Sequence, residues 1–127
     1  MASDCIFCEI VRGEAPSYKI YEDKDAVAFL DIFPAVRGQT VVIPKRHKSS
    51  YVFDLKDKEL SDFISTVKKV AKLLEGKLGA ERINLLFEGV EVSHLHAKLY
   101  PDFINSRIGK RASDDALRRV QKQITGR

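Results

Sequence analysis

"AVAFLDIFPAVRGQTVVIPK", residues 26–45, is the stretch whose reading decides the fold. AVAFLDIFP and GQTVVIPK are rich in β-branched and aromatic residues, and Pro34, Gly38 and Pro44 punctuate them. That composition and spacing read as two successive strands. The link between them is far shorter than the roughly dozen residues of a parallel crossover, so the strands must pair antiparallel. The YKIYED run just upstream (residues 18–23) has the same character and reads as a further strand of the same sheet.

Working outward, DCIFCEIVR (residues 4–12) sets Ile6, Phe7 and Ile10 at helical spacing, and Gly13 with Pro16 stops the element. Downstream, from about residue 57 to 78, Leu60, Phe63, Ile64, Val67, Ala71, Leu74 and Leu78 follow steps of three and four. This predicts the one long amphipathic helix, closed by Gly76 and Gly79. RINLLFEG (82–89) and HLHAKLYP (94–101) read as two more strands, and SDDALRRVQKQI (113–124) as a shorter terminal helix with Ser113 as N-cap. Strands, a helix, then further strands indicate an α+β fold with an antiparallel sheet. No repeat, low-complexity stretch or interdomain linker interrupts the chain.

The 127 residues, 44% hydrophobic and 31% charged, are the size of one globular domain, with residues 4–101 as its core and 102–127 as a tail. No apolar run is long enough to cross a bilayer, and MASDCIFCEI lacks the pattern of a secretory signal, so a cytoplasmic protein is expected, without a membrane partner. A net charge of +4 suits an anionic ligand. The basic tail LRRVQKQITGR reads as a solvated helix face, because Leu117, Val120 and Ile124 repeat at helical spacing, and nucleic acid is not the expected partner.

The chain has three histidines, His47, His94 and His96, and two cysteines, Cys5 and Cys8. On a strand, His94, His96 and Lys98 project from one face and Leu95 and Ala97 from the other. Three potentially cationic groups are poor core material without an anionic ligand, a metal or an acceptor. The stretch alone leaves a catalytic site, a metal site and a solvent-facing strand edge open. In a reducing compartment a Cys-x-x-Cys pair is more often a metal or redox pair than a disulfide, and by itself it is also compatible with two free thiols.

The run from His94 to Pro101, preceded by FLDIFPAVRGQTVVIPKRH (29–47) and CIFCEI (5–10), resembles the histidine triad (HIT) family of nucleotide hydrolases and transferases. The resemblance covers about residues 4–101, with the motifs in the family's order and spacing. It implies a five-stranded antiparallel sheet with one long and one or two short helices, in a two-fold homodimer whose sheets join edge to edge.

Resemblance further implies that His96 is a nucleophile attacking the α-phosphorus of a purine nucleotide and giving a nucleotidyl-histidine that water cleaves. An imidazole suits both halves of that reaction, as nucleophile and then as leaving group. Ile6, Phe7, Ile10, Phe29, Leu30, Asp31 and Ile32 match the family positions that enclose the base and bind the ribose hydroxyls. Cys5, Cys8, His47 and His94 match those that hold a structural zinc in several branches. Expected substrates are nucleoside phosphoramidates, nucleotidylated amines or dinucleoside polyphosphates.

Two departures bear on activity. Lys98 stands where the family carries its third histidine, so it keeps positive charge near the phosphate but cannot switch protonation near neutral pH. FEGVEVSHLH (87–96) lacks the longer Gly-Gln-Ser/Thr loop, and Phe87 stands where an asparagine is common. These departures motivate an alternative, a nucleotide-binding protein with little turnover.

Overall fold

The computed structural model describes residues 5–102 and 109–126. Asp4 of the expected first helix, residues 103–108 of the tail and Arg127 of the basic segment lie outside the described residues. Strands β1 (Lys19–Glu22), β2 (Ala26–Leu30), β3 (Thr40–Pro44), β4 (Ile83–Leu86) and β5 (Ala97–Pro101) form one sheet in the order β1-β2-β3-β5-β4. Every neighbouring pair is antiparallel. Helices α1 (Ile6–Val11) and α2 (Asp57–Leu78) cover opposite faces of it, and α3 (Asp114–Thr125) follows near the C-terminus. None of these helices is long and apolar enough to cross a membrane.

β2 and β3 are buried along nearly their whole length because both of their faces are covered. On one face Ala28, Val42, Ala97 and Leu99 pack with Phe63, Val67, Val70 and Leu74 of α2. Burying each valine, leucine or phenylalanine among them contributes about 1.5–3 kcal/mol. On the other face Val27, Phe29, Val41 and Ile43 pack with Phe7 of α1. Phe29 pairs with Val41, and Val41 with Lys98, which places Lys98 in the row beside α1.

α2 starts where the Glu59 carboxylate accepts the Lys56 N–H at 3.1 Å, and it ends at Gly79 with φ of +68°. Gly76 was expected to help close this helix, but it runs on inside it, since only Gly79 adopts the left-handed conformation that stops a helix. A short 3-10 turn at Val52–Asp54, without a periodic signature in the sequence, places Val52 in the core. Ser113 caps α3 as expected, its Oγ accepting from the Ala116 N–H at 3.1 Å. Leu117, Val120 and Ile124 do share a stripe on α3, yet no residue of that helix is buried.

The expected strand over 94–101 pairs only from Ala97 onward. Pro44 ends β3 without an N–H to donate, and the Leu95 N–H is taken by the Lys48 carbonyl at 2.9 Å. The alternation nevertheless persists through the unpaired part. Leu95 joins the α2-side core with Ala97 and Leu99, while His94 and His96 turn toward Phe7 on the α1 side.

Candidate active site and metal centre

The short helix α1 brings two thiols to the end of β3. Cys5 is its N-cap, and Cys5 Sγ accepts the Cys8 N–H at 3.3 Å. The chain leaving Pro44 supplies His47, and the bend before β5 supplies His94. His94 Nδ1 lies 3.3 Å from Cys5 Sγ and 3.5 Å from Cys8 Sγ, and His47 Nδ1 lies 3.3 Å from Cys8 Sγ. All four ligand atoms fall within 4.8 Å of one another. A tetrahedral zinc, with bonds of about 2.3 Å to sulfur and 2.0 Å to nitrogen, has S···N edges of about 3.5 Å. These three S···N separations therefore already have the size of such edges.

The tautomer fits as well. His94 Nε2 lies 2.9 Å from the Pro44 carbonyl oxygen, which only accepts, so Nε2 carries the proton and Nδ1 turns its lone pair toward the thiols. Burial holds the His94 pKa below the ordinary histidine value; the Pro44 hydrogen bond opposes this, and His47 and His96 add to it. Burial also pushes the Cys8 thiol up, and Cys5 pushes the same way. A dication among these donors reverses the preference of the thiols, because it binds the thiolate. The residues present fit a metal ion, and Cys5, Cys8, His47 and His94 can hold one.

Beside this cluster a cavity of about 300 Å³ opens between α1 and the sheet. Ile6, Phe7, Ile10, Phe29, Leu30, Asp31, Ile32, His96 and Lys98 all line it, so the structure brings together every residue expected around a nucleotide. Phe7 and Phe29 also belong to the core and meet edge to face with ring centroids 5.7 Å apart. Ile6 and Ile32 are exposed at the rim.

His96 is 3% exposed, and its ring is fixed from two sides. Its Nδ1 lies 2.8 Å from the His94 carbonyl oxygen, which makes Nδ1 the protonated nitrogen and leaves the lone pair on Nε2. Phe7 packs edge to face against the ring at 5.1 Å between centroids. Lys98 and Asp31 also line the cavity, with Lys98 Nζ 4.0 Å from Asp31 Oδ2. The Asp31 carboxylate also accepts the Phe33 N–H at 2.8 Å and the Gln39 Nε2–H at 2.7 Å.

The sequence reading missed several lining residues. Phe33 follows the FLDI run directly, and extending that motif by one would have included it. Glu88, Glu91 and Val92 come from the loop between β4 and β5, which has no periodicity to read. Phe87 does not line the cavity, and its ring packs instead against Phe63 of α2, with centroids 6.1 Å apart.

The chain resembles known proteins over most of its length. The HIT domain model matches residues 12–103. An uncharacterized HIT-like protein of Methanocaldococcus jannaschii is 40% identical over 104 residues, spanning 78% of this chain and 79% of that protein. The adenosine 5′-monophosphoramidase of Schizosaccharomyces pombe is 39% identical over 90 residues, spanning 71% of this chain and 64% of that one. Among solved structures, a zinc-bound histidine triad family protein from Mycobacterium smegmatis superposes with a TM-score of 0.72 at 27% identity, covering 99% of each chain. Sheet order, cavity, histidine pair and relatives converge, and the chain belongs to the histidine triad family.

Proposed function

We propose that this protein is a nucleotidyl hydrolase or transferase. It cleaves the α-phosphate linkage of purine nucleoside phosphoramidates, nucleotidylated amines or dinucleoside polyphosphates through a nucleotidyl-histidine. The observation that carries this reading is the His96 ring, whose Nδ1–H is held by the His94 carbonyl while Nε2 keeps its lone pair in a cavity of nucleotide size.

In the first step the Nε2 lone pair forms a bond to the α-phosphorus. The bond from phosphorus to the leaving nitrogen or oxygen breaks, and its electron pair departs with the leaving group, which takes up a proton. Water then attacks phosphorus and gives up a proton to solvent, the bond to Nε2 breaks and the lone pair returns to His96. Ile6, Phe7, Ile10, Phe29, Leu30 and Ile32 supply apolar walls for the base. Asp31 accepts the ribose hydroxyls, and Lys98 sets positive charge beside the phosphate oxygens. The name of the fission-yeast relative makes phosphoramidates the first substrates to try.

Zinc suits the Cys5, Cys8, His47 and His94 donors, and with all four tetrahedral positions filled by side chains its role is structural, tying α1 to the sheet. The whole chain acts as a single domain, and it pairs with a second copy through the β4 edge, where Leu85 and Leu86 are exposed. A reducing, cytoplasmic setting would keep Cys5 and Cys8 unoxidised and able to bind zinc. A second reading, nucleotide binding with little turnover, is favoured by Lys98 in place of the third histidine and by the short loop before His94.

Adenosine 5′-phosphoramidate tests the two. The enzyme reading expects release of ammonia and AMP, abolished by His96→Ala. Binding of AMP without turnover of any of the three substrate classes would leave only the second.

A further inference from the structure

We propose that Gln39 is a positioning residue that makes the cavity selective for a sugar carrying two adjacent hydroxyls, by aiming the Asp31 carboxylate without itself touching the ligand. This inference rests on the nucleotide reading above. Gln39 is 3% exposed and does not line the cavity, yet both ends of its side-chain amide are committed. Oε1 accepts the Ala35 N–H at 2.6 Å, and Nε2 donates to Asp31 Oδ2 at 2.7 Å. The orientation of the amide is fixed, because a reversed amide would set its NH₂ against the Ala35 N–H and its oxygen against a carboxylate. The same pair of residues is joined along the backbone, where the Asp31 N–H donates to the Gln39 carbonyl at 2.9 Å. Gln39 therefore closes the loop between β2 and β3 and holds the side chain at the start of that loop.

Asp31 shows the consequence. Oδ1 accepts the Phe33 N–H at 2.8 Å and Oδ2 accepts Gln39, so each oxygen is held by one short hydrogen bond. A carboxylate has about four lone-pair sites, and here one site on each oxygen stays available on a side chain that borders the cavity. Two adjacent acceptors held at a fixed angle match two adjacent hydroxyls. Lys98 Nζ, 4.0 Å from Oδ2, lies beyond hydrogen-bond distance. Without the Gln39 donor, the carboxylate turns toward that ammonium and the two-point acceptor is lost.

AMP and 2′,3′-dideoxyadenosine monophosphate, titrated by calorimetry, separate a positioning role from a merely structural one. The unaltered protein is expected to bind AMP at least about tenfold more tightly than the dideoxy compound, since two hydrogen bonds to a charged acceptor distinguish them. Gln39→Met removes both polar contacts. Gln39→Glu keeps the length and the acceptor for the Ala35 N–H but turns a carboxylate on Asp31, and it carries the test if Gln39→Met fails to fold. Either variant should bring the two affinities within about threefold of each other by weakening AMP alone. Variants that keep the full preference, or that weaken both compounds equally, would overturn the proposal. Equal binding of both compounds by the unaltered protein would overturn it as well while sparing the nucleotide reading, whereas failure to bind either would remove that reading and this one together.

Discussion

His94 and His96 are two residues apart, lie on the same side of the chain and are both almost fully buried, yet they stand in two different chemical regions. The ring of His94 has its proton on Nε2, against the Pro44 carbonyl, and its lone pair among thiols and a second imidazole. The ring of His96 has the opposite tautomer, with Nδ1 held by the His94 carbonyl and the Nε2 lone pair on the cavity side. One backbone carbonyl in each case decides which nitrogen remains basic. Residue type alone assigns neither role. What each ring's anchored nitrogen touches, and what the other nitrogen then faces, separates the proposed metal ligand from the proposed nucleophile.

The sharpest way to break this division is to remove each ring in turn. His96→Ala should lower turnover of a nucleoside phosphoramidate by about 10³-fold or more, as expected when a covalent nucleophile is lost, with metal content unchanged. His94→Ala, Cys8→Ala or chelation should do the reverse, costing about 3–5 kcal/mol of stability and releasing the metal. Urea unfolding beside elemental analysis and kinetics reads both columns. If His94→Ala left metal content and stability intact, the two regions would not be distinct in the way described.

Phe7 touches both rings, edge to face with centroids 5.8 Å from His94 and 5.1 Å from His96. Phe7→Ala should cost about 3 kcal/mol through the lost core contact and also reduce turnover, since the His96 ring loses a wall that fixes its plane. An effect on stability alone, in parallel unfolding and steady-state measurements, would show that the His94 carbonyl suffices to orient His96.

Lys98 acts on the cavity side only. Lys98→His should raise kcat by about tenfold if a protonated imidazole can assist the leaving group, and make the rate depend on pH near neutrality, while Lys98→Ala should chiefly raise KM. A smaller effect comes from Glu22, which belongs neither to the Cys-His cluster nor to the cavity lining. Its carboxyl is lowered from 4.5 to about 2 by the hydrogen bond from Lys19 and then by Lys45. The folded-state pKa is depressed, so this stabilisation is fully present above pH 4.5 and is lost as the pH falls toward 2. Glu22→Gln should therefore flatten the acid side of the stability curve slightly, an effect that high salt screens, and leave metal content and turnover unchanged.

How far the sequence spoke depends on which interactions decided each feature. β2 and β3 were readable because both their faces are covered, which writes a continuous apolar run into the chain. α2 was readable because one face meets the sheet, which writes steps of three and four. The start of β5 was not, since the ladder stops where Pro44 lacks a donor and the Lys48 carbonyl captures Leu95, a contact between segments far apart in the chain. In the site, Cys5, Cys8, His47 and His94 stood out because few residue types can ligate a metal and their spacing matched a family pattern. Gln39 stayed silent, as its meaning lies in a loop closure that no local pattern encodes.

The most direct test of the division between the two histidines is to find where the nucleotide is attached during turnover. The protein would be mixed with adenosine 5′-phosphoramidate, quenched within milliseconds under conditions that preserve phosphorus–nitrogen bonds, digested, and mapped by mass spectrometry. An adenylyl group is expected on His96 and none on His94, formed and lost at rates compatible with steady-state turnover. An adenylyl group on His94 or Lys98, or undiminished turnover by His96→Ala, would contradict that division.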